Sequence, residues 1–285
     1  MDKAKNVHTF LGLDSDYEEA KIVVFGAPFD GTTSFRPGTR FASSVMRNES
    51  YGLEMYSPYL DKDLKDTKIC DVGDLVLPIG NTEKSMEVIK EFAKEIVEDG
   101  KIPMMIGGDH LVSYPAIEAV YEKHKDIYVL HFDAHTDLRD TFFGEKLSHA
   151  NVLRRTWDFL GDGRIYQFGI RSGDREEFLW AEEHTHLTKF NYDGLDEVVE
   201  KLKEKAVYVT IDIDILDPSV VPGTGTPEPG GISFKEMLDI LSKINKLNNI
   251  VGADLVELAP HYDPTGVSSA VACKIFRELA LVVHK

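Results

Sequence analysis

The sequence predicts an α/β protein of three layers, an α/β/α arrangement in which helices cover both faces of a mainly parallel central sheet. Two observations support this class. Strand-like apolar runs alternate with amphipathic helical runs along the whole length of the 285 residues. The predicted strands are also nearly continuous in apolar residues, which is typical of parallel sheets buried on both faces. Because no long linker or internal repeat interrupts this pattern, we expect residues 1–285 to form a single domain.

The predicted helices follow from the spacing of apolar side chains and from signals at their ends. In residues 82–99 the apolar side chains share one helical face, and Gly100 provides a stop. Ser233 and Glu236 form a capping box that opens a later helix. By these criteria the predicted strands are residues 21–28, 102–108, 127–133, 164–170, 207–213 and 249–255, and the predicted helices are residues 82–99, 112–124, 149–160, 173–183, 193–204, 233–246 and 267–284.

The composition argues against several classes of partner. The chain has 32 Lys and Arg against 49 Asp and Glu, a net charge of −17, whereas a nucleic-acid-binding protein needs a basic face. No apolar run approaches the ~20 residues of a membrane helix, and the N-terminus lacks the apolar core of a secretory signal. Cys70 and Cys273 are far apart and form no C-x-x-C motif. We therefore expect a cytoplasmic protein with free thiols that binds neither membranes nor nucleic acid.

Two apolar runs carry acidic and imidazole side chains. Asp133, His135 and Asp137 belong to the first run, and Asp212 and Asp214 belong to the second. A buried strand with unpaired carboxylates is costly, so a divalent metal ion is the expected partner. Since alternate residues of a strand share a face, we expect each set to converge. Five ligands are more than one ion usually takes from a protein, which points to more than one ion.

Other polar residues also follow predicted strands. His110 ends the sequence GGDH, where two glycines are expected to allow a sharp turn, and it is the candidate sixth ligand. Asp109 either orients a ligand or caps the following helix. Glu257 follows the strand at residues 249–255. In open parallel sheets ligands bind at the carboxyl ends of strands, so these groups are expected at one site. A set rich in carboxylates with two imidazoles favours Mn²⁺ over Mg²⁺ or Zn²⁺.

Five motifs follow one another along the chain: IGGDH (residues 106–110), HFDAHTD (131–137), SHAN (148–151), IDIDILDPSVVPGTGTPEPGG (211–231) and DLVELAP (254–260). These motifs resemble the ureohydrolase family, which contains the arginases and the agmatinases. They occur in the family's order and span most of the chain. The resemblance implies an arginase-like fold, hydrolysis of a guanidino compound to urea and an amine, and a homo-oligomer, either a trimer or a hexamer.

The resemblance also implies two Mn²⁺ ions per subunit. A hydroxide between the ions would attack the guanidinium carbon, and the resulting tetrahedral intermediate would release urea. Asp133 and Asp212 would each bridge the two ions. The first ion would be bound by His110, Asp133, Asp137 and Asp212, and the second by Asp133, His135, Asp212 and Asp214.

Further roles follow from the same motifs. His149 matches the family's proton-shuttle histidine, which also contacts the substrate, and histidine titrates in the range that protonation of a leaving amine needs. Glu257 matches the glutamate that pairs with the guanidinium group. Thr226 matches a threonine that lines the substrate pocket. Asp137 is expected to be catalytic as well as a metal ligand. His131 is expected to have a structural role.

One departure from the arginase pattern suggests the substrate. Arginases place an asparagine that recognises the amino-acid end of arginine two residues beyond the last Asp of DAHTD, and here this position is Arg139. The segment at residues 133–155 instead resembles bacterial agmatinases. The resemblance therefore implies a small cationic guanidino substrate, agmatine, which is hydrolysed to putrescine and urea in polyamine biosynthesis.

Other activities stay open at the level of sequence. Arg139 or Arg154 could pair with the carboxylate of 4-guanidinobutyrate, and arginine or formiminoglutamate are substrates of other members of the family. More distant alternatives are a metal-dependent amide hydrolase or deacetylase and a non-catalytic metal-binding protein. The presence of both His149 and Glu257 argues against a non-catalytic role.

Overall fold

The computed structural model describes residues 8–285, and its centre is an eight-stranded sheet. Every pair of neighbouring strands in this sheet is parallel. The strands are β1 (Ile22–Gly26), β4 (Ile69–Asp74), β5 (Ile102–Ile106), β6 (Tyr128–Phe132), β7 (Ile165–Ile170), β8 (His186–Lys189), β9 (Val207–Asp212) and β10 (Ile250–Val256), and a separate antiparallel pair is formed by β2 (Tyr56–Ser57) and β3 (Lys62–Asp63). Their order across the large sheet is β4-β1-β5-β10-β9-β6-β7-β8.

Helices pack on both faces of the sheet, so the predicted three-layer class is confirmed. In β1, Ile22 and Val24 belong to one apolar cluster and Val23 and Phe25 to the other, and all four are fully buried. The helices are α1 (Ala42–Ser50), α2 (Thr82–Glu98), α3 (Ser113–Lys123), α4 (Val152–Leu160), α5 (Arg175–His184), α6 (Leu195–Leu202), α7 (Phe234–Ile244) and α8 (Val267–Val283). The cluster of Ile22 and Val24 includes side chains of α1, α6, α7 and α8, and the cluster of Val23 and Phe25 includes side chains of α2, α3, α4 and α5.

Side-chain caps open two of the helices, and one of these caps is predicted from the sequence. The capping box that opens α7 is present: the Ser233 hydroxyl accepts from the amide of Glu236, whose carboxylate accepts from the amide of Ser233. Helix α2 begins after Asn81, whose side chain accepts a hydrogen bond from the amide of Lys84 at 2.9 Å. These bonds satisfy backbone N–H groups that have no partner within the helix.

The sequence pattern did not indicate α1, β4, β8 or the β2–β3 pair. Strands β4 and β8 lie at the two edges of the sheet and are only partly buried, so they lack a continuous apolar run. Helix α1 has the sequence ASSVMRNES, with few apolar residues to reveal a helical period. These elements are specified by their packing against the sheet more than by a local pattern.

The four central strands β5, β10, β9 and β6 are parallel, so their carboxyl-terminal ends lie on the same side of the sheet. His110, Glu257, Asp212 and Asp133 lie at or just beyond these ends, which explains how residues distant in sequence meet. Across residues 8–285, none of the helices has the length and apolarity needed to traverse a bilayer.

The two glycines of GGDH allow close packing and do not adopt the left-handed conformation that a sharp turn would use. A Cβ atom on Gly108 would lie 1.7 Å from the carbonyl oxygen of Phe29, and one on Gly107 would lie 2.5 Å from Val256 Cγ1. The amide of Asp109 donates a hydrogen bond to the same Phe29 carbonyl at 2.7 Å. The segment after β1 therefore packs directly against the segment that carries His110.

Gly108→Ala is expected to destabilise the protein by about 1–3 kcal/mol, because backbone atoms of Phe29 occupy the position of the added methyl group. Urea unfolding monitored by circular dichroism measures the change. Gly52→Ala is the control, since the atom nearest to its added Cβ lies 3.3 Å away. Equal stability of the two variants would contradict the close packing.

Candidate metal centre and active site

Three carboxylates surround one ring nitrogen of His110. Its Nδ1 atom lies 3.1 Å from Asp133 Oδ2, 3.1 Å from Asp137 Oδ2 and 3.4 Å from Asp212 Oδ2. The His110 ring is 1% exposed and follows β5, whereas Asp133 follows β6 and Asp212 ends β9. The structure thus brings together the four residues predicted to bind the first ion.

A second group of side chains adjoins the first through Asp133. His135 Nδ1 lies 3.0 Å from Asp214 Oδ2 and 3.5 Å from Asp133 Oδ1. The ligand atoms of Asp133, His135 and Asp214 lie close enough together to hold a metal ion, and so do those of His110, Asp133 and Asp137. Asp133 therefore lies between the two groups, where a bridging ligand is expected. A bridge through Asp212 stays a prediction.

The convergence of these side chains comes from turns and not from the shared strand face that the sequence analysis expected. Asp133, His135 and Asp137 lie beyond the end of β6, and Asp214 lies in a 3₁₀ turn after β9. The Asp133 carboxylate accepts from the amide of His135 at 2.6 Å, and the Asp212 carboxylate accepts from the amide of Asp214 at 2.8 Å. Each turn is thus closed by a carboxylate that also faces the centre of the site.

The donor set fits a divalent cation. His110 Nδ1 is buried and has no hydrogen-bond partner within the described part of the chain, although carboxylate oxygens surround it. Burial alone would lower the pKa of His110, but Asp133, Asp137 and Asp212 hold it well above its usual value. For Asp212, burial and the neighbouring carboxylates of Asp214 and Asp133 raise the pKa well above its usual value. A divalent cation among these oxygens would remove both conflicts.

His131 lies beside the cluster as a hydrogen-bond donor, in agreement with the structural role expected for it. Its Nε2 atom is 2.7 Å from Asp133 Oδ2, and its Nδ1 atom is 3.1 Å from the Gln167 amide nitrogen. The Gln167 nitrogen can only donate, so Nδ1 accepts and Nε2 carries the hydrogen that faces Asp133. The ring therefore orients this carboxylate and has no free lone pair for an ion.

A cavity of about 250 Å³ opens above the cluster. It is smaller than the roughly 300–1,000 Å³ of pockets for drug-sized ligands, which suits a small substrate. His110, His135, Asp137 and Asp212 line its floor, while Asp133 and Asp214 are buried beneath. The remaining walls contain the predicted residues His149, Thr226 and Glu257 together with Ser34, Thr136, Arg139, Phe142, Ala150, Ser172, Gly173, Asp174 and Glu177.

Glu257 presents a carboxylate to the cavity from a strained backbone. One of its oxygens accepts a hydrogen bond from the amide of His110 at 2.8 Å, which leaves the other oxygen available. Burial, followed by the nearby Asp109, raises the pKa of Glu257 well above its usual value, so a cationic partner would favour its ionised form. Glu257 and Asp137 have φ angles of 64° and 54°, which are unusual for residues other than glycine. Strain of this kind is concentrated at functional sites.

His149 lies on the cavity wall with one ring nitrogen near a hydroxyl group. Its Nε2 atom is 3.3 Å from Ser34 Oγ, and its ring packs edge-on against Phe142. The amide of His149 donates to the hydroxyl of Thr32, which donates to Asp109 at 2.9 Å. These contacts fix the position of an imidazole that faces the cavity.

Asp109 and Thr226 have different surroundings. Asp109 caps the turn that begins at His110 by accepting from the amide of Leu111, which agrees with the capping interpretation. Burial raises the pKa of Asp109 to about 6. Thr226 lines the cavity, and its hydroxyl donates to Asp214 Oδ2 at 3.4 Å.

Only one of the two arginines considered for a substrate carboxylate reaches the cavity. Arg139 lies on the wall, pairs with Asp174 at 2.7 Å and with Glu177 at 3.5 Å, and stacks on Phe142. Arg154 does not line the cavity, because its guanidinium group stacks on Trp180. The positive charge of Arg139 is therefore already neutralised within the wall.

The polar residues that follow β1 and β7 are not among the site residues predicted from the sequence. Thr32 and Ser34 follow β1, and Ser172 and Asp174 follow β7, so the rule that found the other sites would have found these as well. Phe142 lies in a loop far from any strand end, and no sequence signal marks it.

Comparisons with known proteins agree with this architecture. The model of the arginase family matches residues 20–282. An agmatinase of Bacillus subtilis (strain 168) is 48% identical over 284 residues, which cover 99% of this chain and 98% of the relative. A solved structure of a candidate agmatinase from Clostridium difficile has a TM-score of 0.93 at 56% identity and covers 94% of this chain and 99% of that one. The N(1)-aminopropylagmatine ureohydrolase of Thermococcus kodakarensis is 36% identical over 89% of this chain and 88% of its own.

The chain belongs to the arginase family, as the match over most of its length and the identity to full-length relatives show. It is a ureohydrolase-type enzyme that acts on linear amidines, in agreement with the resemblance found in the sequence.

Binding of a divalent ion is expected to weaken as the pH falls and to release protons. The neighbouring carboxylates outweigh burial and hold the pKa values of His110 and His135 well above their usual value, and a metal ligand must be deprotonated. Calorimetric titration of the metal-free protein with Mn²⁺ between about pH 8 and about pH 6 tests this. Buffers of different ionisation enthalpy count the released protons. An affinity independent of pH, with no proton release, would contradict the assignment of these imidazoles.

Proposed function

We propose that this protein hydrolyses agmatine to putrescine and urea at a centre of two Mn²⁺ ions. The observation that carries the proposal is the pairing of the buried carboxylate–imidazole cluster with Glu257 in one small cavity. A hydrolytic centre and a group that can bind a guanidinium cation thus lie side by side. The identity to agmatinases over the full length of the chain supports the same substrate.

The metal ligands proposed are the six residues named from the sequence. When bound, the ions would polarise a water molecule and supply hydroxide at neutral pH. His110, Asp133, Asp137 and Asp212 would hold one ion, and Asp133, His135, Asp212 and Asp214 would hold the other. The short distances around His110 Nδ1 and His135 Nδ1 support these two sets.

Glu257 would bind the guanidinium end of the substrate. A planar guanidinium donates two parallel hydrogen bonds to a carboxylate, and burial strengthens such a pair. The amide of His110 holds one Glu257 oxygen in place, so the carboxylate is oriented before the substrate enters. Thr226, on the same wall, would contact the bound guanidinium group.

His149 would supply a proton to the leaving amine. An amine leaves poorly unless it is protonated, and an imidazole exchanges protons near neutral pH. The Ser34 hydroxyl, 3.3 Å from His149 Nε2, can pass a proton between the ring and solvent. Asp137 would contribute to turnover by completing the ligand set at the cavity floor.

The charges on the wall favour a substrate without a carboxylate. Asp174 and Glu177 form ion pairs with the guanidinium group of Arg139. A carboxylate at the far end of 4-guanidinobutyrate would therefore meet two acidic side chains and an arginine whose charge is already neutralised. Agmatine presents an ammonium group at that end, which these carboxylates attract. The Thermococcus kodakarensis relative is named for a longer substrate of the same type.

We also propose a homo-oligomer, a trimer or a hexamer, in the cytoplasm, where the polyamine pathway would use putrescine. The arginase-family membership and the two free cysteines support these proposals.

Among agmatine, arginine and 4-guanidinobutyrate, agmatine is expected to give the highest kcat/KM for urea release in the presence of Mn²⁺. The reason is the acidic wall around Arg139, which disfavours a carboxylate at the far end of the substrate. A coupled assay for urea at matched concentrations measures all three. Omission of the metal is the control, and arginine as the best substrate would overturn the assignment.

His149→Ala is expected to lower kcat by about 10²–10⁴-fold while the protein keeps its bound Mn²⁺. His149 is placed on the cavity wall and outside both ligand groups, so it contributes to proton transfer and not to metal binding. The measurements are kcat across neutral pH and the metal content after dialysis. His124→Ala, at the end of α3 and outside the cavity, is the control. Loss of the metal in parallel with kcat would contradict this role.

A further inference from the structure

Behind the floor of the cavity, the second ring nitrogen of His110 contacts a chain of buried polar side chains. His110 Nε2 lies 3.0 Å from Thr210 Oγ1, and the Thr210 hydroxyl donates to Asp254 Oδ1 at 2.6 Å. Thr210 and Asp254 are fully buried. They pair in register across the neighbouring strands β9 and β10, in the interior of two otherwise apolar runs.

The direction of the hydrogen bonds in this chain follows from the Asp254 carboxylate. Its other oxygen, Oδ2, accepts from the hydroxyl of Tyr208 at 2.8 Å, so both oxygens act as acceptors. The single hydrogen of the Thr210 hydroxyl therefore belongs to the bond with Asp254. The Thr210 oxygen is left to accept. Two groups are near enough to donate to it, His110 Nε2 at 3.0 Å and the Ser113 hydroxyl at 3.4 Å, and the shorter contact places the hydrogen of the imidazole on Nε2.

A neutral imidazole carries one N–H group, so this arrangement leaves a lone pair on His110 Nδ1. Nδ1 is the atom that faces Asp133, Asp137 and Asp212. The ring of His131 has the opposite arrangement, because Gln167 donates to its Nδ1 and its N–H faces Asp133. In its neutral form His110 thus presents a lone pair to the cluster, whereas His131 presents a hydrogen.

Burying the hydrogen-bonded side chains of Thr210 and Asp254 in the sheet costs free energy, which argues that they serve a function. Buried hydroxyl and carboxyl groups are unfavourable unless they are hydrogen-bonded, and apolar side chains would pack at the same positions. Burial raises the pKa of Asp254, and the neighbouring His110, Thr210 and Tyr208 act in the opposite direction. The neighbouring groups therefore offset part of the cost of burying this carboxylate.

We infer that Thr210 and Asp254 are positioning residues that fix the ring orientation and the tautomer of His110, so that Nδ1 is presented as a metal ligand. This inference rests on the proposed metal centre. Groups that hydrogen-bond the distal nitrogen of a ligating histidine fix its orientation and raise its basicity, and their loss typically weakens metal binding 10–100-fold. The geometry assigns this task to a threonine backed by an aspartate.

The test compares Thr210→Val, which removes the hydroxyl at nearly constant volume, with Thr210→Ser, which retains it. Mn²⁺ affinity is measured by calorimetry, and electron paramagnetic resonance distinguishes a coupled ion pair from a single ion. Thr210→Val is expected to bind one of the two ions at least about tenfold more weakly and to lose the signal of the pair, whereas Thr210→Ser is expected to restore both. Thr156→Val is the matched control, since Thr156 is fully buried and its hydroxyl has no partner within the described residues.

An affinity and a spectrum of Thr210→Val that equal those of the wild type would overturn the inference. Asp254→Asn gives an independent test should Thr210→Val fail to fold, because it keeps the shape and removes the charge behind Thr210. It is expected to weaken the same ion, and wild-type affinity in this variant would overturn the part assigned to Asp254. Failure of the wild-type protein itself to bind Mn²⁺ would overturn the proposed metal centre, which distinguishes that outcome from failure of the positioning role alone.

Discussion

The concentration of carboxylates at the ends of the central strands is the constraint on which the site depends. Asp133, Asp212 and Asp214 are at most 3% exposed, and an unpaired buried carboxylate costs several kcal/mol. Burial would raise the pKa of Asp133, but His131, His110 and His135 hold it well below its usual value. The imidazoles thus compensate one carboxylate, while the pKa of Asp212 stays raised by burial and by Asp214 and Asp133. Divalent cations would relieve the remaining repulsion.

The parallel sheet makes this concentration possible. Strands β5, β10, β9 and β6 are neighbours, and their carboxyl ends bring together four segments from residues 109 to 257. The sheet sets the positions of the segments, and the turns beyond it aim the side chains, since the carboxylates of Asp133 and Asp212 close their own turns. Buried apolar strands provide a rigid base, so the turns can be short and the ligand atoms remain a few ångströms apart.

The residues that the sequence predicts are those whose chemistry is visible within one short motif. His110, Asp133, His135 and Asp212 directly follow or end apolar runs, and the expected fold class brings such ends together. Thr210 and Asp254 are different, because their pairing depends on β9 and β10 being neighbours in a specific register. The local pattern does not specify the strand order, so their contact cannot be read from it. The edge strands β4 and β8 were missed for a related reason, since their partial burial removes the apolar run that marks a strand.

The part of the cavity wall around Arg139 combines one basic side chain with two acidic ones. By its resemblance to the arginases the chain would have an asparagine at the position of Arg139, and a free arginine there would attract a carboxylate. Its guanidinium group instead pairs with Asp174 and Glu177 and stacks on Phe142. These contacts neutralise its charge and stabilise the wall. The paired carboxylates also accept from the backbone: the Glu177 side chain binds the amides of Leu138 and Asp174. Because the acidic partners outnumber the arginine, this part of the wall would attract a cation, and the same residues that give the wall its rigidity would disfavour a carboxylate on the substrate.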